Sequence, residues 1–150
     1  MSFTNMHLYF EDIEVGQEWN SLGRTVTQTD IINFAGVSGD FNPIHMDHEF
    51  ARSTIFQQPV AHGLLIFSMA SGLGIFSPPM RTLAFMSIRE WQFREPVFIG
   101  DTITAEVEIL EVHKTKPVSR VGMRIVRSDG ETVLEGDAWC YTATPVAAEA

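Results

Sequence analysis

An α+β domain is what this 150-residue chain predicts, built as an antiparallel sheet of about five strands wrapped around one long apolar helix. Three observations carry that expectation. The stretch from Pro59 to Pro79 holds no Asp, Glu, Lys or Arg. Four β-type runs then follow one another directly, Leu83–Phe93, Thr102–Val112, Val118–Arg127 and Thr132–Thr142. Between them stand the turn signals Gly100-Asp101, Lys116-Pro117 and Asp129-Gly130, and short turns between consecutive strands imply antiparallel pairing. A helix apolar on every side and a sheet with an apolar face solve each other's burial problem. The length suits a single domain over 1–150, with 144–150 as a flexible tail.

In chain order, Glu18–Val26 reads as a first strand with Trp19, Leu22 and Val26 as its apolar points. Thr27-Gln28-Thr29-Asp30 has the form of a capping box, a hydroxyl at the N-cap and a carboxylate three residues on. Ile31, Phe34, Ala35 and Val37 then form a short helical face, and Gly39 is a natural stop. Asp40–Pro59 is rich in turn residues, with a second short helix expected at Asp47–Arg52. The uncharged helix opens near Ala61–Gly63 and ends before Ser77-Pro78-Pro79. Thr102–Ile109 alternates polar and apolar residues, as a strand with one wet face does.

Composition excludes several classes. Hydrophobic residues at 45% and charged residues at 19% describe a folded soluble chain rather than a disordered one. A net charge of −9 repels phosphate backbones, so no nucleic-acid partner is expected. The apolar centre Val60–Phe76 is 17 residues long, short of the roughly 20 that a membrane span needs, and no basic, apolar leader opens the chain. The single cysteine, Cys140, allows no internal disulfide and fits a reducing, cytoplasmic setting. An antiparallel edge strand invites pairing, so a homodimer is expected, or a higher oligomer built from dimers.

Chemistry concentrates in Ser38-Gly39-Asp40-Phe41-Asn42-Pro43-Ile44-His45-Met46-Asp47. Asn42-Pro43 forces a turn between Asp40 and His45, which can bring a carboxylate and an imidazole toward one water molecule. Such a pair can add water across a double bond or remove it. The residue types alone leave a second reading open, in which Asp40 merely bonds backbone N–H groups in an Asx-turn and Pro43 stiffens a loop. His45, His48 and Asp47 supply three potential ligands without a fourth, so no metal is expected. Gly63, in the first turn of the uncharged helix, offers a free N–H to a carbonyl oxygen, or else lets the helix start pack closely on a strand. His62 reads as a packed, hydrogen-bonded histidine, and Cys140 as a small buried hydrophobe. Phe67, Met69, Phe76, Met80, Phe85 and Met86 are core or pocket residues. Arg89, Arg94, Lys114, Lys116 and Arg120 are candidates for an anionic carrier.

The run Asp40-Phe41-Asn42-Pro43-Ile44-His45, with Ala61-His62-Gly63 eighteen positions after His45, resembles the hydratase-2 motif of the MaoC-like dehydratase or (R)-specific enoyl-CoA hydratase family. The likeness extends from Phe10–Gly16 to the last strand. It implies a dimeric hot-dog fold and a hydro-lyase that interconverts trans-2-enoyl-CoA and (R)-3-hydroxyacyl-CoA, with acyl-CoA or acyl-carrier-protein thioesters as partners and no cofactor. It further implies that Asp40 and His45 activate the water, that Asn42 supports the site, and that the Gly63 N–H forms the oxyanion hole. A thioesterase on the same scaffold, or a non-catalytic acyl-thioester-binding subunit, are the alternative expectations.

Overall fold

The computed structural model describes residues 8–76 and 80–146, and of residues 74–76 the backbone alone. The expected Pro78-Pro79 stop, the Phe76 side chain and the last four residues of the tail therefore lie outside the described residues.

One antiparallel sheet organises the chain. Its strands are β1 (Glu18–Asn20), β2 (Arg24–Thr25), β3 (Thr82–Phe93), β4 (Thr102–Val112), β5 (Val118–Arg127) and β6 (Thr132–Thr142). They are ordered β1-β4-β5-β6-β3, with β2 also paired to β4. Among the described residues that is six strands where about five are expected. The single strand expected over Glu18–Val26 is broken because Ser21 takes over part of the ladder itself. Its N–H donates to the Ala105 carbonyl at 2.8 Å and its Oγ accepts the Ala105 N–H at 2.8 Å. Leu22, read as an apolar anchor, is instead 88% exposed.

The inward residues of β4, Ile103, Ala105, Val107 and Ile109, are buried, as its alternation requires. They share a core with Ile125 of β5, Leu134 and Ala138 of β6, and Leu65, Ile66, Met69 and Ala70 of the helix α4 (Gly63–Phe76). Fully burying an aliphatic side chain of this kind contributes roughly 1.5–3 kcal/mol. No helix among the described residues is long and apolar enough to cross a membrane.

The helical segment before α4 is made of three short pieces. α1 (Gln28–Ser38) starts on the predicted capping box, with the Thr27 side chain accepting the Asp30 N–H and Asp30 bonding back to Thr27. It buries Ile31 and Ala35, while Val37, assigned to the same face from sequence, is exposed. α2 (Pro43–Met46) is a single turn with Pro43 in its first turn. α3 (His48–Arg52) is capped by Asp47, whose Oδ1 accepts the N–H groups of Glu49 and Phe50.

β3 forms one edge of the sheet and is exposed along almost its whole length. Leu83, Phe85, Met86, Ile88 and Phe93 are all more than half exposed. Its register with β6 breaks between Arg89 and Gln92, where Glu90 has a φ of 49°. The irregularity seats Trp91 over Gly136, at which a Cβ would come within 2.6 Å of the indole. Trp91 then donates its Nε1–H to the Asp137 carbonyl at 3.0 Å and meets Phe67 of α4 edge-on at 4.7 Å.

Candidate active site

Local backbone rules place the first two groups. α1 ends at Gly39, whose φ of 79° needs a residue without a side chain. The chain then folds into two successive Asx-turns. Asp40 Oδ1 accepts the Asn42 N–H at 3.2 Å, and Asn42 Oδ1 accepts the Ile44 N–H at 3.1 Å, capping α2. The single turn of α2 carries His45 back toward Asp40. His45 Nδ1 lies 2.6 Å from the carbonyl oxygen of Val60. A carbonyl can only accept, so Nδ1 carries the hydrogen and the lone pair of the neutral ring sits on Nε2. That nitrogen stands 3.8 Å from Asp40 Oδ2. The carboxylate is half exposed and the imidazole mostly enclosed.

Val60 belongs to a short connection pinned on both sides. Its N–H bonds Ile44 O at 3.2 Å, and the Ala61 N–H bonds Val97 O at 2.8 Å. Next comes His62, which is 3% exposed. Its Nε2 donates to the backbone carbonyl of Asp40 at 2.9 Å, and its ring stacks on His45 with centroids 3.8 Å apart. Gly63 then opens α4. Its N–H is among the first-turn donors that a helix cannot satisfy from within, at the positive end of the helix dipole.

A groove of about 450 Å³ runs past this point, lined among others by His45, Val60, Gly63, Ile66, Phe93 and Val97. A Cβ at Gly63 would lie 2.9 Å from the Phe93 ring, so the helix start does pack closely on β3. Close packing holds at this glycine, and it leaves the first-turn N–H in place. One turn further along α4 is a second, apolar cavity of about 250 Å³, lined by Phe67, Ser71, Met80, Phe85, Trp91 and Cys140 among others. The Phe67–Trp91 ring pair borders it. Burial pushes the Cys140 thiol up to about 11, which suits a packed wall and not a nucleophile.

The structure brings Asp40, His45 and Gly63 to one place and gives Asn42 the role of holding the turn between the first two. Of the pocket candidates, Phe67, Met80 and Phe85 line the apolar cavity, Met69 is buried in the core, and Met86 is exposed on β3. Of the cationic candidates only Arg94 lines the groove, and it is paired with Glu135 at 2.6 Å. Arg120 pairs with Glu111 and Asp137 on the sheet.

His48 faces Gln28 at 3.2 Å and Asp47 is spent on its cap, so the trio weighed from sequence does not assemble. Asp40, His45 and His62 do offer ligand atoms within 4.8 Å of one another. One nitrogen of each ring is already bonded to a backbone carbonyl, His45 Nδ1 to Val60 and His62 Nε2 to Asp40, which leaves one ring nitrogen on each histidine and the Asp40 carboxylate as the free ligand atoms of this group.

Comparison with known proteins gives the family. The model of the MaoC like domain matches residues 12–142. An (R)-specific enoyl-CoA hydratase of Aeromonas caviae is 35% identical over 128 residues, covering 85% of this chain and 94% of that protein. A second (R)-specific enoyl-CoA hydratase, from Rhodospirillum rubrum, is 38% identical over 134 residues, or 87% and 88% of the two chains. The solved A. caviae (R)-hydratase superposes with a TM-score of 0.79 at 34% identity, covering 90% of this chain and 99% of that one. A Mycobacterium tuberculosis protein with a double hot-dog fold has the same architecture, with a TM-score of 0.81 at 20% identity over 97% of this chain and 47% of that one. A hot-dog sheet that brings Asp40, His45 and Gly63 together, in a sequence matched from its first turn to its last strand, belongs to the MaoC-like domain family.

Proposed function

We propose that this protein is a hydro-lyase that reversibly hydrates trans-2-enoyl-CoA thioesters to (R)-3-hydroxyacyl-CoA. The observation that carries the reading is the 3.8 Å gap between Asp40 Oδ2 and His45 Nε2, beside a groove lined by His45 and Gly63. Two acceptors at that spacing can each take one O–H of a single water and turn its oxygen lone pair outward. With the thioester carbonyl on the Gly63 N–H, C3 of the enoyl group faces that oxygen.

As the C3–O bond forms, a water proton passes to His45 Nε2 and the alkene pair moves through C2 onto the thioester oxygen. Asp40 neutralises the imidazolium. The Gly63 donor stabilises the enolate, a kind of interaction worth roughly 2.7–4 kcal/mol in other oxyanion holes. When the enolate collapses, C2 takes the proton back from His45. Proton and hydroxyl arrive on the same face, and dehydration is the reverse path. The scheme closes without a cofactor. The apolar cavity beyond Phe67 would hold the acyl tail.

The reading extends to assembly and setting. β3, apolar and uncovered at the sheet edge, would pair with β3 of a second copy in a homodimer. The free, buried Cys140 fits the cytoplasm.

The test is purified protein with crotonyl-CoA, following loss of the conjugated enoyl absorbance and its return from (R)-3-hydroxybutyryl-CoA. Asp40→Asn and His45→Gln should lose turnover while remaining folded. Thiol release without hydration would replace this reading by a thioesterase, and tight acyl-CoA binding without turnover by a binding subunit.

A further inference from the structure

We infer that His62 is the positioning residue of this site: its Nε2–H holds the Asp40 backbone while its ring supports the His45 imidazole, so one buried side chain sets the gap across which water is added. What is being positioned rests on the hydration reading. The positioning itself rests on geometry.

Three contacts meet at His62. Nε2 lies 2.9 Å from the Asp40 carbonyl oxygen, which fixes the loop just after α1. The ring stacks at 3.8 Å and 29° on His45, which α2 carries. On another side Phe34 of α1 tilts against it at 5.0 Å. Its own chain neighbour is Gly63, the proposed oxyanion donor. Asp40, His45 and Gly63 reach this place from three separate segments, and His62 touches or adjoins all three.

The choice of residue argues for more than filling. His62 is 3% exposed, and its Nδ1 has no hydrogen-bond partner among the described residues. An unpaired buried acceptor is a standing cost. Phenylalanine would present the same flat face without that cost, so what histidine adds here is the donor at Nε2. Because that donor is aimed at the Asp40 carbonyl, its loss frees the carboxylate to drift relative to His45. In a near-attack geometry, drift of about 1 Å can remove about 10²-fold in rate.

The experiment separates the two contributions in the full-length protein. His62→Phe keeps a ring and removes the donor; His62→Gln keeps an N–H at the matching reach and removes the ring. Positioning through the donor predicts that His62→Phe lowers kcat on crotonyl-CoA about 10²-fold, with KM within about threefold of wild type. His62→Gln should recover at least about tenfold of that loss. A packing role predicts the opposite order, with Phe the milder change, and that order would overturn the inference. So would a loss confined to KM.

A second measurement does not depend on turnover or on the variants folding. Imidazole ¹⁵N NMR of the wild-type protein should show His62 protonated at Nε2 and His45 at Nδ1. A His62 ring protonated at Nδ1, or exchanging between tautomers, would overturn the inference. If the wild-type protein fails to hydrate crotonyl-CoA, the functional reading falls, and the spectrum still decides whether His62 holds Asp40.

Discussion

Asp40→Asn separates the fold from the chemistry at the cost of one exchanged atom. The remaining amide oxygen can still accept the Asn42 N–H, now 3.2 Å from Oδ1, so the turn into α2 survives. The new NH₂ stands where Oδ2 faces His45 Nε2 across 3.8 Å and presents a donor in place of an acceptor. The water proposed to bridge the pair then loses one of its two anchors. The stability term is small, because an exposed charge pair is worth about 0–1 kcal/mol and the Asp40 side chain is 51% exposed. At this chain length about 1 kcal/mol moves the melting temperature by roughly 2–4 °C. The kinetic term is larger. Loss of one acid–base partner costs about 10²–10⁴ in rate, or roughly 2.7–5.4 kcal/mol of barrier. The two ranges do not overlap. Thermal unfolding and initial rates on crotonyl-CoA, measured on the same preparation, should therefore give a nearly unmoved melting curve with kcat down at least about 10²-fold. A kcat within about threefold of wild type, or a rate loss no greater than the loss of folded protein, would refute the assignment of Asp40.

The remaining expectations concern other parts of the molecule. Gly63→Ala should change stability by less than about 1 kcal/mol, since the helix gains propensity while the exposed Phe93 ring, 2.9 Å from the new Cβ, swings aside into the groove; hydration should fall much further, and an unaffected rate would remove Gly63 from the site. Cys140, pushed up to about 11 by burial against an ordinary 9.0, favours the folded state at low pH. Ionisation in the unfolded chain should withdraw roughly 2–3 kcal/mol as pH rises from 9 to about 11; denaturant melts should show that slope in wild type and not in Cys140→Ala. Ile88→Lys, in the middle of uncovered β3, should convert a dimer to monomer in sedimentation velocity, and an unchanged dimer would move the interface elsewhere.

The sheet was legible where its periodicity was strong. Thr102–Val112, Val118–Arg127 and Thr132–Thr142 form with the bounds that alternation and Gly or Pro turn signals mark. Where structure departs from expectation, a side chain replaces a backbone partner. Ser21 Oγ stands in the ladder opposite Ala105, and nothing in local hydropathy announces that. α2 went unseen because four residues are too few for a helical period, although Asn42-Pro43 is a good cap and first turn. Asp40 and His45 were legible because they are close in sequence and the turn between them is obligatory. His62 was legible as a packed histidine and not as a clamp, because its polar partner Asp40 and its stacking partner His45 come from the loop and the short helix α2 some twenty residues earlier. The one available signal was an imidazole inside a run otherwise free of charge.

In the sequence, turn-former and catalyst are rival readings of Asp40, and close packing and oxyanion donor are rival readings of Gly63. The geometry makes each pair compatible. Asp40 divides its carboxylate: Oδ1 is tied to the Asn42 N–H and builds the turn, and Oδ2 is left facing His45. A carboxylate held by one oxygen cannot rotate freely, so much of the entropy of aiming the other is lost on folding and not in the transition state. Gly63 behaves alike, since the absence of a side chain lets Phe93 close over the helix start and puts a first-turn N–H, which the helix cannot satisfy from within, beside an apolar groove. On the hydration reading, the hydrogen bond that makes the turn at Asp40 also orients the oxygen that would hold the water. At position 40 a substitution preserves the turn and removes the proposed water anchor only if it changes Oδ2 and leaves Oδ1 alone, which is why the amide is the discriminating variant there and alanine is not.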